Sequence, residues 1–295
     1  MTKIRNKRKL RIFDVINACI MILLGFSFVV PFWIIACSSL SDNGQLMSKG
    51  ISLWFRGFSF EGYAFLFQMS NVFFKSIISS LIVSFSNAAL SVALCTGAAY
   101  VLAKKDLAGR KALNIFFMIP MFFGGGMIPL YLVIRGIKIY DTVWALIFPC
   151  AVRISNVLLL RNYFYGIPTS LNEAGELDGA NQFQILIKII IPLAVPMMLT
   201  IGMIMFVDRW NNWLDTLLYF GSSNTKWWTI QYVLRQILTD MQSLYGSLGG
   251  GSIVDAPLIS ARNAAVVIAV LPLVCLSPIL HKYYIKGMTA GAVKG

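Results

Sequence analysis

The sequence predicts an all-α, polytopic membrane protein of six transmembrane helices, with a long cytoplasmic loop at 161–192 between the fourth and the fifth. Three observations carry that expectation. Hydrophobic residues make up 58% of the 295 positions and charged ones only 13%, with a mean hydropathy of +0.74. A soluble domain holds roughly a quarter of its residues charged. Apolar runs long enough to cross about 30 Å of hydrocarbon, roughly 20 residues of helix each, recur along the whole chain. Lys and Arg collect in alternate inter-helix segments, the pattern that retains those segments in the cytoplasm.

The spans fall at about 12–38, 72–103, 112–134, 142–160, 189–220 and 263–284. The opening KIRNKRKLRIF mimics the basic region of a signal peptide, but the apolar run from Ile12 to Ser38 has no small-residue cleavage site, so a retained first helix is expected. With the N-terminus inside, the inner segments hold the basic arm, Lys104, Lys105, Arg110, Lys111, Arg161, Lys188, Lys282, Lys286 and Lys294, and these outnumber the basic residues of the longer outer segments. Both termini are thereby placed in the cytoplasm. The same bias accounts for the net charge of +13 without nucleic acid as a partner.

Outer segments 39–71 and 221–262 carry Trp54, Phe55, Trp227, Trp228, Tyr232 and Tyr245, which suit either the headgroup belt or an extracellular partner. The second span places Ser80, Ser84, Asn87 and Ser91 on one helical face, and Ala89, Ala93 and Gly97 on a small-residue face. In lipid such stripes mean close helix packing or a water-lined path. The fourth span carries Arg153 and Asn156 three residues apart, deep enough to demand a cavity or a partner helix.

Segment 161–192 is unusual in holding acids, glycines and a helical pattern. Pro168 ends one element, Thr169 or Ser170 can cap a short helix with Glu173 at the capping-box position, and Gly179 permits a sharp turn. A second amphipathic element follows from about Asn181 to Ile190, and Pro192 opens the fifth span as a first-turn proline. That span ends in DRWNNWLD, with Asp208, Asn212 and Asp215 expected on one face. Asn211, Asn212 and Asp208 beside Trp210 and Trp213 suit a sugar, through hydrogen bonds to hydroxyls and stacking on apolar sugar faces. An interfacial aromatic belt with a snorkelling Arg209 explains the same letters.

Cys19, Cys37, Cys95, Cys150 and Cys275 lie inside or at the ends of apolar runs with no CxxC spacing, and read as small core residues. His281, the sole histidine, builds no metal site by itself. A secondary carrier would need inverted repeats and a membrane-buried carboxylate for its coupling ion, neither of which is evident. A membrane enzyme would need convergent titratable residues, which are likewise not seen.

The loop resembles the EAA loop of ABC importer permeases: Glu, Ala, Ala, three residues, Gly, nine residues, Ile, one residue, Leu, Pro. Here the positions are Glu173, Ala174, Gly175, Gly179, Ile189, Ile191 and Pro192, with Gly175 in place of the second alanine and Ile191 in place of leucine. The SSLS at Ser38–Ser41 after Pro31 and Phe32, KKDLAGRK, FFGGGMIPLYLVIRG, LLLRNYF, DRWNNWLDTLLY and the tail YYIKGMTAGAVKG extend the likeness to MalG-like, LplC- or YtcP-type carbohydrate permeases.

The resemblance implies one permease domain over 1–295, in which Glu173, Ala174, Gly175, Asp178, Gly179, Ala180, Ile189 and Pro192 dock on a cytoplasmic ATPase. It further implies a heterodimer with a second homologous permease, two ABC ATPase subunits that bind ATP and Mg, and an extracellular substrate-binding lipoprotein that delivers an oligosaccharide. No cofactor is expected on this chain, which has no GxxxxGK[ST] phosphate loop. Asn87, Arg153, Asn156, Asp208, Asn211, Asn212 and Trp213 are the candidates for the substrate path, and Lys286, Gly287, Gly291 and Lys294 for secondary ATPase contacts. A non-sugar ABC solute remains the alternative, ahead of an ion-coupled carrier.

Overall fold

The computed structural model describes residues 12–68, 72–104, 106–221, 224–247 and 257–292, with the side chains of 240–247 and 279–292 outside the description. The basic N-terminal arm, Lys105, the run Gly249–Gly251 and Lys294 therefore lie outside the described residues, as do the side chains of Tyr245, His281 and Lys286.

The helices in order are α1 (Ile12–Ser39), α2 (Asn43–Lys49), α3 (Glu61–Gln68), α4 (Val72–Ala103), α5 (Arg110–Phe122), α6 (Met127–Gly136), α7 (Trp144–Ile147), α8 (Ile154–Tyr165), α9 (Thr169–Leu177), α10 (Gln182–Ile185), α11 (Ile191–Trp210), α12 (Leu214–Tyr219), α13 (Ile230–Ser247) and α14 (Leu258–Ala292). Among the described residues there is no strand, only an isolated bridge between Ser41 and Phe58. The chain forms two compact units, Met1–Met69 with Met241–Ile268 and Ser70–Asp240 with Ala269–Gly295.

In the first unit α1 exposes its apolar length and buries only Cys37, Ser38 and Ser39 at its end. The SSLS segment is a hydrogen-bonded terminus. Ser41 Oγ donates to the Cys37 carbonyl at 2.7 Å, and Ser39 Oγ lies 2.9 Å from the Tyr63 hydroxyl. Asp42 caps α2 by accepting from Gln45 N–H at 2.8 Å, and Asn43 Oδ1 accepts from Ile259 N–H at 3.1 Å. Gly62 is required where α3 meets the start of α14, because a Cβ there would stand 2.6 Å from the Ser260 backbone.

In the second unit α4 is the central helix, packed by α8 and α11. Its polar stripe faces inward: Ser80, Ser84, Asn87 and Ser91 are all buried, and Ser80 Oγ accepts from the backbone N–H of Ile230 at 2.7 Å. Close packing holds at Gly202 of α11, where a Cβ would be 3.2 Å from Val92. The small-residue face Ala89, Ala93 and Gly97 instead lines an apolar groove of about 840 Å³ with residues of α11.

The structure supports the polytopic helical class but does not confirm the count of six spans among the described residues. Four helices are long and apolar enough to cross a membrane, or five if α5 and α6, bent by 111°, form one broken span. The bend sits at Phe123–Gly126, with Gly126 at φ +83. The expected fourth span is interrupted: α7 lasts four residues, Cys150 takes φ +61, and the helix resumes at Ile154. Hydropathy does not register such breaks, because the groups that satisfy the freed carbonyls come from other helices. Asn87 Nδ2 donates to the Ile147 carbonyl at 2.6 Å, and Arg209 Nη1 donates to the Leu146 carbonyl at 3.2 Å.

Further corrections follow from packing. The fifth span ends at Trp210 rather than near 220, so Asp215 stands on a separate helix from Asp208. Trp228 and Tyr232 are buried against each other at 5.0 Å rather than lying in a belt, whereas Trp54 and Phe55 are exposed. Cys37 and Cys95 are core residues, but Cys19, Cys150 and Cys275 are exposed on the chain.

A helical hairpin and a polar cavity at opposite ends of one helix

Residues 161–192 fold as a helical hairpin. Pro168, extended at ψ 131, ends the segment after α8 and precedes α9 with no side-chain cap, so the expected Ser170–Glu173 capping box does not form. A capping box forms one helix later: Asn181 Oδ1 accepts from Gln184 N–H, and Gln184 Oε1 accepts from Asn181 N–H, both at 2.9 Å. Between the helices Gly179 takes φ +79, a left-handed turn that favours glycine.

After α10 the backbone widens into a π-helical turn at Leu186–Ile190 and runs without a break into α11, with Pro192 in its first turn. The second hairpin element is thus covalently continuous with a membrane-spanning helix, 182–210.

Gly175 explains how closely the hairpin packs. It is buried, and a Cβ there would lie 3.0 Å from Ile189 Cδ1 and 3.2 Å from Ile185 Cγ1. The glycine in place of the pattern's second alanine permits closer approach of α9 to the isoleucines. On the opposite face Glu173, Ala174, Asp178 and Gly179 are exposed, Ala180 is half-buried, and Leu177 and Phe183 are 89% and 69% exposed. Leu177 and Phe183, which the sequence reading passed over, leave the hairpin with a bare apolar surface beside its acids. Their placement on the outward side of a two-helix turn was not visible in the amphipathic pattern alone.

The hairpin is tied to the end of α4. Gln182 Oε1 accepts from Tyr100 OH at 2.9 Å and from Lys104 Nζ at 2.5 Å, while Gln182 Nε2 donates to Glu176 at 2.6 Å. Arg110 donates to Tyr165 OH, so the KKDLAGRK segment braces the same region.

The far end of α11 opens on a second feature, a cavity of about 470 Å³ lined by Arg153, Asp208, Asn211, Asn212, Trp213 and Leu214. Five of the seven proposed substrate-path residues meet here. Arg153, the residue before α8, pairs with Asp208 at 2.7 Å and is 38% exposed. Arg209 is 4% exposed and pairs with Asp215 at 2.7 Å, so it is a buried structural cation and not a snorkelling one. Asn212 Oδ1 accepts from Asp215 N–H at 2.9 Å, which holds the start of α12. Trp213 carries the Arg235 guanidinium over its ring, 3.5 Å from the centroid.

The other two candidates are elsewhere. Asn87 is fully buried at the α7 break, and Asn156 is buried inside α8. Arg235, stacked on Trp213, was not among the sequence candidates; its spacing of four puts it on the same face of α13 as Gln231, which reaches Asn211 at 3.4 Å.

A helical membrane subunit in which an exposed hairpin continues as a spanning helix, with a polar cavity at that helix's other end, is the architecture of a transporter permease. The chain belongs to the family described as "Binding-protein-dependent transport system inner membrane component", which it matches over residues 89–290. It is 33% identical to the polygalacturonan/rhamnogalacturonan transport system permease protein YtcP of Bacillus subtilis (strain 168), covering 97% of this chain and 100% of that one. Protein LplC of the same organism is 32% identical, over 98% of this chain and 97% of its own. Among solved structures, a chain from a bacterial ABC transporter involved in the import of the acidic polysaccharide alginate superposes with a TM-score of 0.84 at 25% identity, covering 93% of this chain and 97% of that one.

Proposed function

We propose that this chain is the permease subunit of an ATP-driven ABC importer for an oligosaccharide, with the hairpin as its coupling element. The observation that carries the reading is the unbroken helical path from the hairpin through the π-turn into α11 and on to the cavity. The names of the relatives, which cover polygalacturonan and arabinooligosaccharide transport, favour a carbohydrate over another solute.

In this reading the whole chain is one permease domain, paired with a second, homologous permease as a heterodimer. Two ABC ATPase subunits bind ATP and Mg below it, and an extracellular lipoprotein delivers the glycan above. Both termini and the 161–192 loop face the cytoplasm, consistent with the basic bias of the inner segments. Glu173, Ala174, Gly175, Asp178, Gly179, Ala180, Ile189 and Pro192 form or support the ATPase contact. Their exposed members, with Leu177 and Phe183, offer the acidic and apolar surface that such a groove would cover. Arg153, Asp208, Asn211, Asn212 and Trp213 line the substrate path.

The test is a cysteine in place of Leu177, in a background whose five native cysteines are replaced. A membrane-impermeant thiol reagent should label it only in inside-out vesicles, and a bifunctional reagent should join it to the ATPase subunit. Labelling from the outer face of intact cells refutes the assignment.

A further inference from the structure

The hairpin is joined to the helical bundle by two routes, and the covalent one bends easily. It runs through the π-helical turn Leu186–Ile190 and then past Pro192 and Pro196. A π-turn and a proline each interrupt the regular backbone ladder, and helices bend at such places. A rotation of the hairpin can be absorbed there before it reaches the far end of α11.

The second route starts at Gln182, the first residue of α10, on the hairpin side of that turn. Its Oε1 accepts from Tyr100 OH at 2.9 Å and from Lys104 Nζ at 2.5 Å, which fills both lone pairs of the amide oxygen. Its Nε2 donates to Glu176 of α9 at 2.6 Å. The amide has no second orientation: turned over, it would set its NH₂ against the Lys104 ammonium and its oxygen against the Glu176 carboxylate. Tyr100 is buried, and Lys104 Nζ lies 5.5 Å from the centroid of its ring. Beside this junction is a cavity of about 330 Å³ lined by Tyr100, Lys104, Phe164, Glu173, Glu176 and Gln182. Side-chain hydrogen bonds, rather than close apolar packing, therefore join the hairpin to α4 at this point.

Helix α4 carries the connection onward. Asn87 holds the Ile147 carbonyl at the α7 break, Ser80 holds the Ile230 N–H at the start of α13, and Cys95 Sγ reaches the Arg153 carbonyl at 4.0 Å. Arg153 is thus positioned from α4, whereas Asp208, its ion-pair partner in the polar cavity, belongs to α11. The two members of that pair stand at the ends of the two routes.

We propose, resting on the reading of the hairpin as the ATPase-coupling element, that Gln182 is a positioning residue that makes α4 follow the hairpin. Both walls of the polar cavity, and not the α11 wall alone, then respond to ATP. Gln182 is not among the positions of the loop pattern.

The experiment uses the assembled transporter in nanodiscs, in a background whose five native cysteines are replaced. One form carries spin labels at Val101→Cys and Ser170→Cys, both exposed positions; a second carries Leu214→Cys, at the polar cavity, as a target for a small thiol reagent. Between the nucleotide-free state and the state trapped with ATP and vanadate, the label distance should stay the same and the labelling at Leu214→Cys should change. Q182L should give a second, longer distance population on trapping and lose the change at Leu214→Cys, while co-purified ATPase and the rate of ATP hydrolysis are kept. Y100F/K104M removes the partners on the α4 side without altering the hairpin, and should do the same. E176Q/Q182E reverses donor and acceptor between those two side chains while keeping the acceptor for α4, and should restore the original behaviour. A merely structural defect at position 182 would not be repaired in that way.

An unaltered response at Leu214→Cys in both Q182L and Y100F/K104M overturns the proposal. So does a parallel loss of ATPase association and hydrolysis, which would make Gln182 a docking or folding residue, and so does an E176Q/Q182E variant as impaired as Q182L. A label distance that changes on trapping in the otherwise unaltered protein overturns it as well. Gly179→Trp separates this inference from the reading beneath it. If that variant keeps ATPase association and the response at Leu214→Cys, the coupling role of the hairpin fails; if it loses them while the Gln182 variants are silent, only this inference fails.

Discussion

Replacing Gly179 separates backbone strain from partner docking. Its φ of +79 imposes a cost of about 1–2 kcal/mol on any residue with a Cβ, but nothing among the described residues lies within 4 Å of where that Cβ would be. Gly179→Ala and Gly179→Trp therefore carry similar backbone costs, and Gly179→Asn carries less because asparagine tolerates the left-handed region. Only the tryptophan projects bulk into the space that the ATPase is proposed to fill.

Uptake and substrate-stimulated ATP hydrolysis should thus fall in the order Asn, Ala, Trp. The tryptophan variant should be nearly inactive, should fail to co-purify with the ATPase, and should still insert at normal abundance. The assay is reconstitution of the transporter in proteoliposomes, with quantification of co-purified ATPase. Equal losses for Ala and Trp would mean that strain alone acts. Unaltered uptake with Trp would refute the role of the hairpin.

Gly175→Ala places a methyl 3.0 Å from the terminal carbon of Ile189, which is free to rotate away, so the helix-propensity gain of about 1 kcal/mol should roughly cancel the crowding in thermal denaturation of the complex. Gly175→Leu cannot be absorbed and should destabilise by about 1–3 kcal/mol, read as a lower melting temperature. Arg209→Ala strands the Asp215 carboxylate and the Leu146 carbonyl, at a cost of about 3–5 kcal/mol, so the variant should accumulate poorly in the membrane. Trp213→Ala removes the platform beneath Arg235 and should raise the substrate concentration needed for half-maximal uptake, with ATPase coupling unchanged.

The sequence by itself determined the class of fold and the location of the hairpin. Composition requires a membrane solvent, and in that solvent only helices satisfy their own backbone groups among chains of this pattern. Glycine at 179 and proline at 192 constrain the backbone locally, so their roles as turn and helix start were legible without any tertiary contact. The grouping of Arg153 with the DRWNNWLD residues was only half legible: both were flagged as polar, but nothing in their spacing joined residues on two different helices.

Tertiary structure decided the rest, because it depends on groups brought from distant parts of the chain. The broken fourth span persists because Asn87 and Arg209 arrive from α4 and α11 to satisfy its freed carbonyls, which no hydropathy window contains. The capping box falls at Asn181 and not at Ser170 because α9 already begins at Thr169, behind Pro168, which places Ser170 inside the helix. Arg209 became a buried ion-pair partner, and Arg235 the cation over Trp213, only once α12 and α13 were packed. Local letters set backbone preferences, whereas the pairing of charges across helices is a property of the folded arrangement.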